Sequence, residues 1–239
     1  MSVNFANKSV LIAGGTGGLG RAVSLAFLSA SANVVVTYQR ADEFAALKKE
    51  PVNSAASLEG RQVDVTDEDH VRQLVESTVS KYGRIDVLVN CVGAYAGGMP
   101  LWQTEPNIFD QMLTLNLRSG FILARHVAPV MLKQGSGSIV NIASQAALNH
   151  AAGATAYAAS KAAAVAMIDC LAADLKGTGV RANSVLPSII DTEANRKAMP
   201  GADFSTWPKP KEIARVILFL CSDEAKLISG ASIPVYGNS

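Results

Sequence analysis

Charge is scarce in this chain. Charged residues make up 17 % of its 239 positions and nearly cancel, leaving a formal net charge of +1. That balance argues against a nucleic-acid partner, which needs a basic face. Cysteine is scarcer: Cys91, Cys170 and Cys221 stand far apart with no C-x-x-C pair. The spacing supplies neither a disulfide framework nor a thiolate metal site, and reads as reduced thiols in a cytoplasmic protein. His70, His126 and His150 are equally scattered, so no metal centre is expected. No run approaches the roughly 18 uninterrupted apolar residues of a membrane span. MSVNFANKSV has no apolar stretch behind a basic start, so no signal peptide is expected. Internal repeats, low-complexity tracts and linkers are also lacking. With 49 % apolar residues, the chain is expected to bury a large core in one domain over 1–239.

What is present begins with KSVLIA (8–13), a short apolar run that stops at glycines and reads as a buried strand. GGTGGLG (14–20) then runs into RAVSLAFLSA, which has helical apolar spacing. Strand, glycine-rich turn and helix N-terminus together make a phosphate cradle. Gly14, Gly18 and Gly20 let the backbone approach a pyrophosphate, and the helix dipole favours its charge. The spacing is GxxxGxG, not the commoner GxGxxG, and a tight turn without a ligand is the alternative reading. Further strands are expected at 32–38, 61–67, 85–93, 137–144 and 180–187, and in ASIPVY near the end. The third would end at Asp64. Helices are expected from about 41 to 49, at 68–81 with Thr66 or Asp67 as cap, and at 107–133 with a break at Ser119-Gly120. Another begins near Tyr157, and KEIARVILFLCSD is the last. Residues 200–210 read as a loop. Apolar runs alternating with helices predict an α/β fold, a parallel sheet covered on both faces.

The fifth strand delivers Ser144 at its carboxyl end, where open α/β sheets place their ligands. Tyr157 follows thirteen residues later and Lys161 four after that, in AYAASKAAAVAMIDCLAADLK. This Ala- and Leu-rich run reads as a helix, with Gly177 just past its end. Positions i and i+4 share a helix face, so hydroxyl and ammonium are expected side by side. A neighbouring cation favours the phenolate and should lower the Tyr157 pKa, which suits proton transfer near neutral pH. Ser144 adds a hydroxyl able to polarise a carbonyl. A Tyr and a Lys four apart on a helix are individually commonplace. The alternatives are an ordinary strand-end Ser144, an Asp64 that only ends a strand and caps a helix, and an Asn116 bonded to its own turn.

Taken together, GGTGGLG, VDVTD, NCVG, Ser144 with Tyr157-x-x-x-Lys161, and PSIIDT (187–192) appear in an order that resembles the short-chain dehydrogenase/reductase family over nearly the whole chain. The resemblance implies a doubly wound, seven-stranded parallel sheet of Rossmann type and a nicotinamide dinucleotide cofactor. It implies that Gly14, Gly18 and Gly20 bracket the pyrophosphate with Leu19 offering backbone contact. Asp64 would meet the adenine amino group with Val65 against the ring, and Asn90 and Gly93 would line the adenosine ribose side. Tyr157 would exchange the substrate proton, and Lys161 would hold the nicotinamide ribose. Ser144 would orient the carbonyl, and Asn116 would support a water relay to the lysine. Pro187 opens the segment in which Ile190 and Thr192 would meet the carboxamide. Ala13 stands for the family's usual Thr, NCVG for NNAG, Ser188 for a Gly and Tyr236 for an Asp near the end. The two helices at 107–133 and 155–176 carry apolar residues on more than one face, and the family pairs through them, so a homo-oligomer, dimer or tetramer, is expected.

The second strand, VVVTYQR, bears no acid at Thr37 or Tyr38, where an NAD site places its ribose-binding carboxylate. Arg40, with Arg21 as a second cation, could meet a 2′-phosphate, so NADP(H) is favoured over NAD(H). A substrate loop is expected at about 190–210. Its neighbourhood, 185–207, is locally similar to dihydropteridine reductase, with NRK (195–197), Phe204 and Trp207 over the site. A small or medium carbonyl or alcohol is thus the leading substrate and a pteridine the alternative. An idle dinucleotide-binding sensor or scaffold is a third reading, against which the intact Ser, Tyr and Lys speak.

Overall fold

The computed structural model describes residues 3–50 and 56–238. Its strands are β1 (Ser9–Ala13), β2 (Asn33–Tyr38), β3 (Ser57–Gln62), β4 (Val87–Asn90), β5 (Gly137–Ile142), β6 (Val180–Pro187) and β7 (Ser232–Val235). They form one sheet in the order β3-β2-β1-β4-β5-β6-β7. Every pairing is parallel. This is the expected seven-stranded doubly wound sheet. The order reverses at β1, so the crevice between β1 and β4 opens at their carboxyl ends.

β1 shows why such strands carry no polar alternation. All five of its residues are buried. Val10 and Ile12 face one side, with Phe27 of α1 (Gly18–Ser29) and Ile213 and Ile217 of α8 (Pro210–Cys221). Leu11 and Ala13 face the other, with Leu74 of α3 (Glu68–Tyr82), Leu123 of α5 (Ser119–Gln134) and Ile168 of α6 (Thr155–Asp174). Helices on both faces leave no wet side, so alternate residues all bury. α6 is long and apolar enough, by length and composition, to cross a membrane. Here it packs on the sheet, and Ala164, Ile168 and Ala172 are among its buried residues.

Two expectations need correction. The third strand is not 61–67 but Ser57–Gln62, and it stops short of Asp64. β3 is an edge strand with no fully buried residue. Its sequence, SLEGRQ, therefore lacks the apolar signal by which buried strands are read. Nor is the long helix broken at Ser119-Gly120. α4 (Pro106–Leu113) passes through a π-helical stretch, Thr114–Arg118, into α5, which Ser119 and Gly120 begin. Gly120 serves close approach instead. A Cβ there would lie 3.0 Å from Asn90 Nδ2 and 3.2 Å from Asn141 Oδ1, the pair that ties β4 to β5. A short helix the sequence reading omitted, α7 (Glu193–Ala198), follows Thr192, whose hydroxyl accepts from Asn195 N–H at 3.2 Å.

Candidate active site

The glycine turn fits a bound diphosphate. Gly14 has φ +70°, and its N–H donates to Thr37 Oγ1 at 2.9 Å. A Cβ on Gly20 would lie 2.0 Å from the Gly14 carbonyl oxygen, so only glycine lets α1 start this close to the turn. α1 has no side-chain cap and no acid in its first turn. Its first N–H groups and positive dipole end thus remain for an anion. Thr192 reaches this cradle from the opposite side: its methyl would sit 2.7 Å from a Cβ on Gly18. Leu19 itself is buried in the core, so it has only backbone to offer a ligand.

Asp64, expected to meet the adenine, lies in the loop after β3. Its Oδ1 accepts from Thr66 N–H at 2.9 Å and Thr66 Oγ1 at 2.7 Å, which holds the carboxylate below its usual range. Asp67, not Asp64, caps α3, by accepting from His70 N–H. Val65 beside them is buried. Tyr38 stacks on Phe44 of α2 (Ala41–Lys48), ring centroids 4.9 Å apart and nearly parallel. The expected cations are both paired within the chain. Arg40 grips Asp42 through Nη2–Oδ2 at 2.6 Å and Nε–Oδ1 at 3.3 Å, and Arg21 pairs with Glu50.

The other end of the crevice buries a lysine. β5 runs one residue past its pairing with β4, which ends at Asn90–Asn141. The carbonyl of that last residue, Ile142, accepts from Lys161 Nζ at 2.9 Å. Lys161 is only 5 % exposed, and burial pushes its ammonium down to about 8. Asn116 sits in the π turn, where its Oδ1 accepts from Ala94 N–H at 2.9 Å. Its Nδ2 donates to Ala94 O at 3.0 Å and Ser160 Oγ at 2.9 Å. It also donates to Met112 Sδ at 3.6 Å, one turn back, so it is bonded to its own turn and is a tertiary clasp between helix and loop as well. A Cβ on Gly93 would lie 2.8 Å from Asn116 Oδ1 and 3.0 Å from Lys161 Nζ. Gly93 therefore borders the lysine. Asn90 is buried, its amide spent on Asn141 and its Oδ1 on Val92 N–H, so its backbone alone is left for a ligand.

Ser144 caps a short turn by accepting from Ala146 N–H at 3.1 Å, and its hydroxyl lies near enough to that of Tyr157 to oppose a rise in the tyrosine's pKa. The expected lowering of the Tyr157 pKa does not occur. Burial raises it, the neighbouring Ser144 hydroxyl opposes that, and Tyr95 adds to the rise. Lys161 is not among the causes, because its amine turns to Ile142. Tyr95 went unnoticed in the sequence, where nothing marks it out; its ring meets that of Tyr157 edge-on at 4.9 Å. Beside them, Cys91 of the altered NCVG is pushed up to about 12 by burial, which makes it an inert thiol. Another departure is absorbed structurally: Ser188 Oγ donates to the Tyr236 carbonyl at 2.7 Å. Arg196 of α7 grips Asp191 at 2.5 and 2.9 Å and lies 4.7 Å from the Phe204 ring. Phe204 in turn meets Trp207, which is buried in the fold. A cavity of about 890 Å³ lies at the opposite, amino-terminal edge of the sheet, lined by Lys8, Asp86, Ser138 and Arg181, away from these groups.

Residues 8–202 match the family described as short chain dehydrogenase. The chain belongs to the short-chain dehydrogenases. It is 35 % identical over 238 residues, 96 % of either chain, to the 3-oxoacyl-[acyl-carrier-protein] reductase FabG of Thermotoga maritima. Among solved structures it is similar to 7α-hydroxysteroid dehydrogenase complexed with NADH and 7-oxo glycochenodeoxycholic acid, with TM-score 0.89 and 31 % identity over 100 % of this chain and 96 % of that one. It is also similar to ElxO with NADP bound, with TM-score 0.87 and 27 % identity over 96 % and 97 %. This short-chain dehydrogenase is an NAD(P)-dependent oxidoreductase acting between carbonyl and alcohol. A bound nicotinamide supplies or accepts the hydride.

A buried lysine carries a testable cost. The folded chain holds the Lys161 amine near 8, against 10.5 for a free lysine. Between those values the unfolded chain binds more protons, so stability contributed by this group rises with pH through the window and is least below 8. Lys161→Met should therefore stabilise the cofactor-free protein at pH 7 by about 1–3 kcal/mol, less whatever the lost bond to Ile142 costs. The gain should shrink toward pH 10. Urea unfolding of both proteins at pH 7 and 9.5 measures it, and a pH-independent difference would refute the account.

Proposed function

We propose that Tyr157 is the group that exchanges a proton with the substrate oxygen, with Ser144 orienting that oxygen. The observation that carries this is the Ser144 hydroxyl placed beside that of a half-buried Tyr157, at the carboxyl ends of the strands. Burial keeps the Tyr157 hydroxyl protonated at neutral pH, which arms it to donate in reduction. Oxidation needs the phenolate and should gain rate as pH rises. Lys161, charged below about 8, is assigned to a ribose hydroxyl, and Asn116 positions the Ala94 loop beside it. Residues 190–210 form the substrate loop of a single catalytic domain. The substrate is a small or medium carbonyl or alcohol on an apolar body. Tyr95 and, four residues after Ser144, the exposed Leu148 support that reading. So does the oxo or hydroxyl group named for both FabG and the hydroxysteroid enzyme. Tyr157→Phe should keep cofactor affinity within about twofold and lower turnover at least about a hundredfold on a carbonyl panel that includes a quinonoid pteridine. A near-normal rate would remove Tyr157 from the role. Cofactor binding by wild type with no turnover anywhere would favour the sensor reading.

NADP(H) is assigned as the favoured cofactor, on the neutral Thr37 and Tyr38 and on Arg40 beside them. Arg40 must then exchange Asp42 for the 2′-phosphate. Both side chains are about two-thirds exposed, so the exchange is inexpensive. The ratio of kcat/KM for NADPH to NADH should exceed one and fall about tenfold or more in Arg40→Ala. An unaltered ratio would show that Arg40 does not read the phosphate.

We also assign the protein to the cytoplasm, where its three free thiols stay reduced, and to a homo-oligomer. An apolar groove of about 350 Å³ between the π turn and α6 is lined by Leu113, Leu117, Phe121 and Met167, with Phe121 half exposed. Light scattering at micromolar concentration should report a dimer or tetramer, and Phe121→Glu should shift it toward monomer. A monomeric wild type would contradict this.

A further inference from the structure

The turn that cradles the diphosphate ends, on its adenosine side, in a contact that its fold does not require. Thr16 Oγ1 donates to Glu43 Oε2 at 2.9 Å. The other oxygen of the same carboxylate, Oε1, lies 3.7 Å from Arg40 Nε. Thr16 is buried, whereas the Glu43 side chain is 37 % exposed and free to move outward. Glu43 stands in the first turn of α2, where an acid complements the helix dipole. That role is served by any orientation. It does not call for the carboxylate to leave its own helix and bond a hydroxyl in the glycine turn, 27 residues away in sequence.

The two groups that hold this carboxylate, a hydroxyl and a guanidinium, are the donors that hold a phosphate monoester. The chain has therefore assembled an anion site and filled it with its own side chain. Resting on the assignment of Arg40 to the 2′-phosphate, we propose that Glu43 is a built-in place-holder at that subsite, whose carboxylate must swing out for NADPH to bind and so limits the margin of NADPH over NADH. A phosphate carries more charge and more acceptor oxygens than a carboxylate, so it wins the two donors. The contest nevertheless lowers its affinity, and any carboxylate left close by repels it. A ribose bearing free hydroxyls meets no such repulsion, because hydroxyls donate to a carboxylate. Glu43 thus acts as a specificity-determining residue although it lies beyond the strand end where the acidic ribose ligand of an NAD site would stand.

Glu43→Gln tests this, since it keeps the side-chain length and an oxygen to accept from Thr16. Dissociation constants for NADPH and NADH are read by quenching of intrinsic fluorescence, with thermal melts confirming that wild type and variants are equally folded. NADPH should bind Glu43→Gln about five- to tenfold tighter than wild type, and NADH should change by less than about twofold or weaken. Unchanged NADPH affinity, or equal tightening of both cofactors, would overturn the proposal. The double variant Arg40→Ala, Glu43→Gln separates it from the reading beneath it. If Arg40→Ala alone leaves the NADPH-to-NADH affinity ratio intact, the Arg40 assignment fails, whatever Glu43 does. If Arg40→Ala lowers the ratio but Glu43→Gln does not raise it, the place-holder alone fails. Where both hold, the gain from Glu43→Gln should shrink in the double variant, because one of the two contested donors is gone.

Discussion

Burying a lysine amine at the edge of a sheet is the costly act around which this site is built. The amine could not be held in the core as a cation without a partner. Its partner is a backbone carbonyl, Ile142 O, exposed because β5 outruns β4. A backbone acceptor supplies a hydrogen bond but no countercharge, which is why desolvation prevails and the ammonium titrates near 8. The helix that carries Lys161 must then lie close against the sheet, and residues 158, 164 and 172, all alanine, permit that approach. Tyr157, one turn earlier, is thereby set down beside Ser144. The placement of the reacting hydroxyls thus follows from the seating of the lysine.

The same desolvation sets the protonation state of Tyr157. A phenolate in this cleft would lose water and gain one hydroxyl, from Ser144. The aromatic edge of Tyr95 offers it nothing. Without a facing cation, the neutral phenol prevails. A site arranged this way begins its cycle as an acid, and its capacity as a base depends on groups brought in with the ligands. Asn116 contributes rigidity. Its amide holds both backbone groups of Ala94 as well as Ser160, so the loop that bears Tyr95 cannot drift from the helix that bears Tyr157. π turns tend to occur where a side chain must be aimed off the regular helical register, and here that side chain is Asn116.

Much of this was legible before any coordinates. Apolar runs β1, β4 and β5 announce buried parallel strands, the glycine turn announces a cradle, and the i, i+4 spacing announces that Tyr157 and Lys161 share a helix. The illegible parts have physical reasons. β3 is polar because an edge strand need not bury both faces. The π turn depends on tertiary bonds from Asn116 that no local propensity encodes. The direction of the Tyr157 shift required knowing where the Lys161 amine points, and spacing places a side chain on a face without saying what it touches. α7 is the exception: Thr192 ahead of Glu193 is a cap pattern that could have been read. Glu43 looks like an ordinary first-turn acid, and nothing in its local sequence reveals that it bonds a turn on another element.

The two ends of the crevice differ in kind, and the difference bears on which properties of the enzyme are easily altered. Around the lysine, Lys161 and Asn116 are buried and bonded to backbone or to a buried side chain, so removing either leaves a desolvated partner behind. After β2, Arg40, Asp42 and Glu43 form a cluster of ion pairs open to solvent, joined to the fold through the bond that Thr16 donates to Glu43. Exposed pairs of this sort are screened by solvent and contribute little to stability. The seat of the lysine is therefore guarded by burial, while the charged cluster rests on a balance that one side chain can tip. A carboxylate that bonds the glycine turn sits at that balance point, because it touches the wall of the cradle and the cation beside it at once.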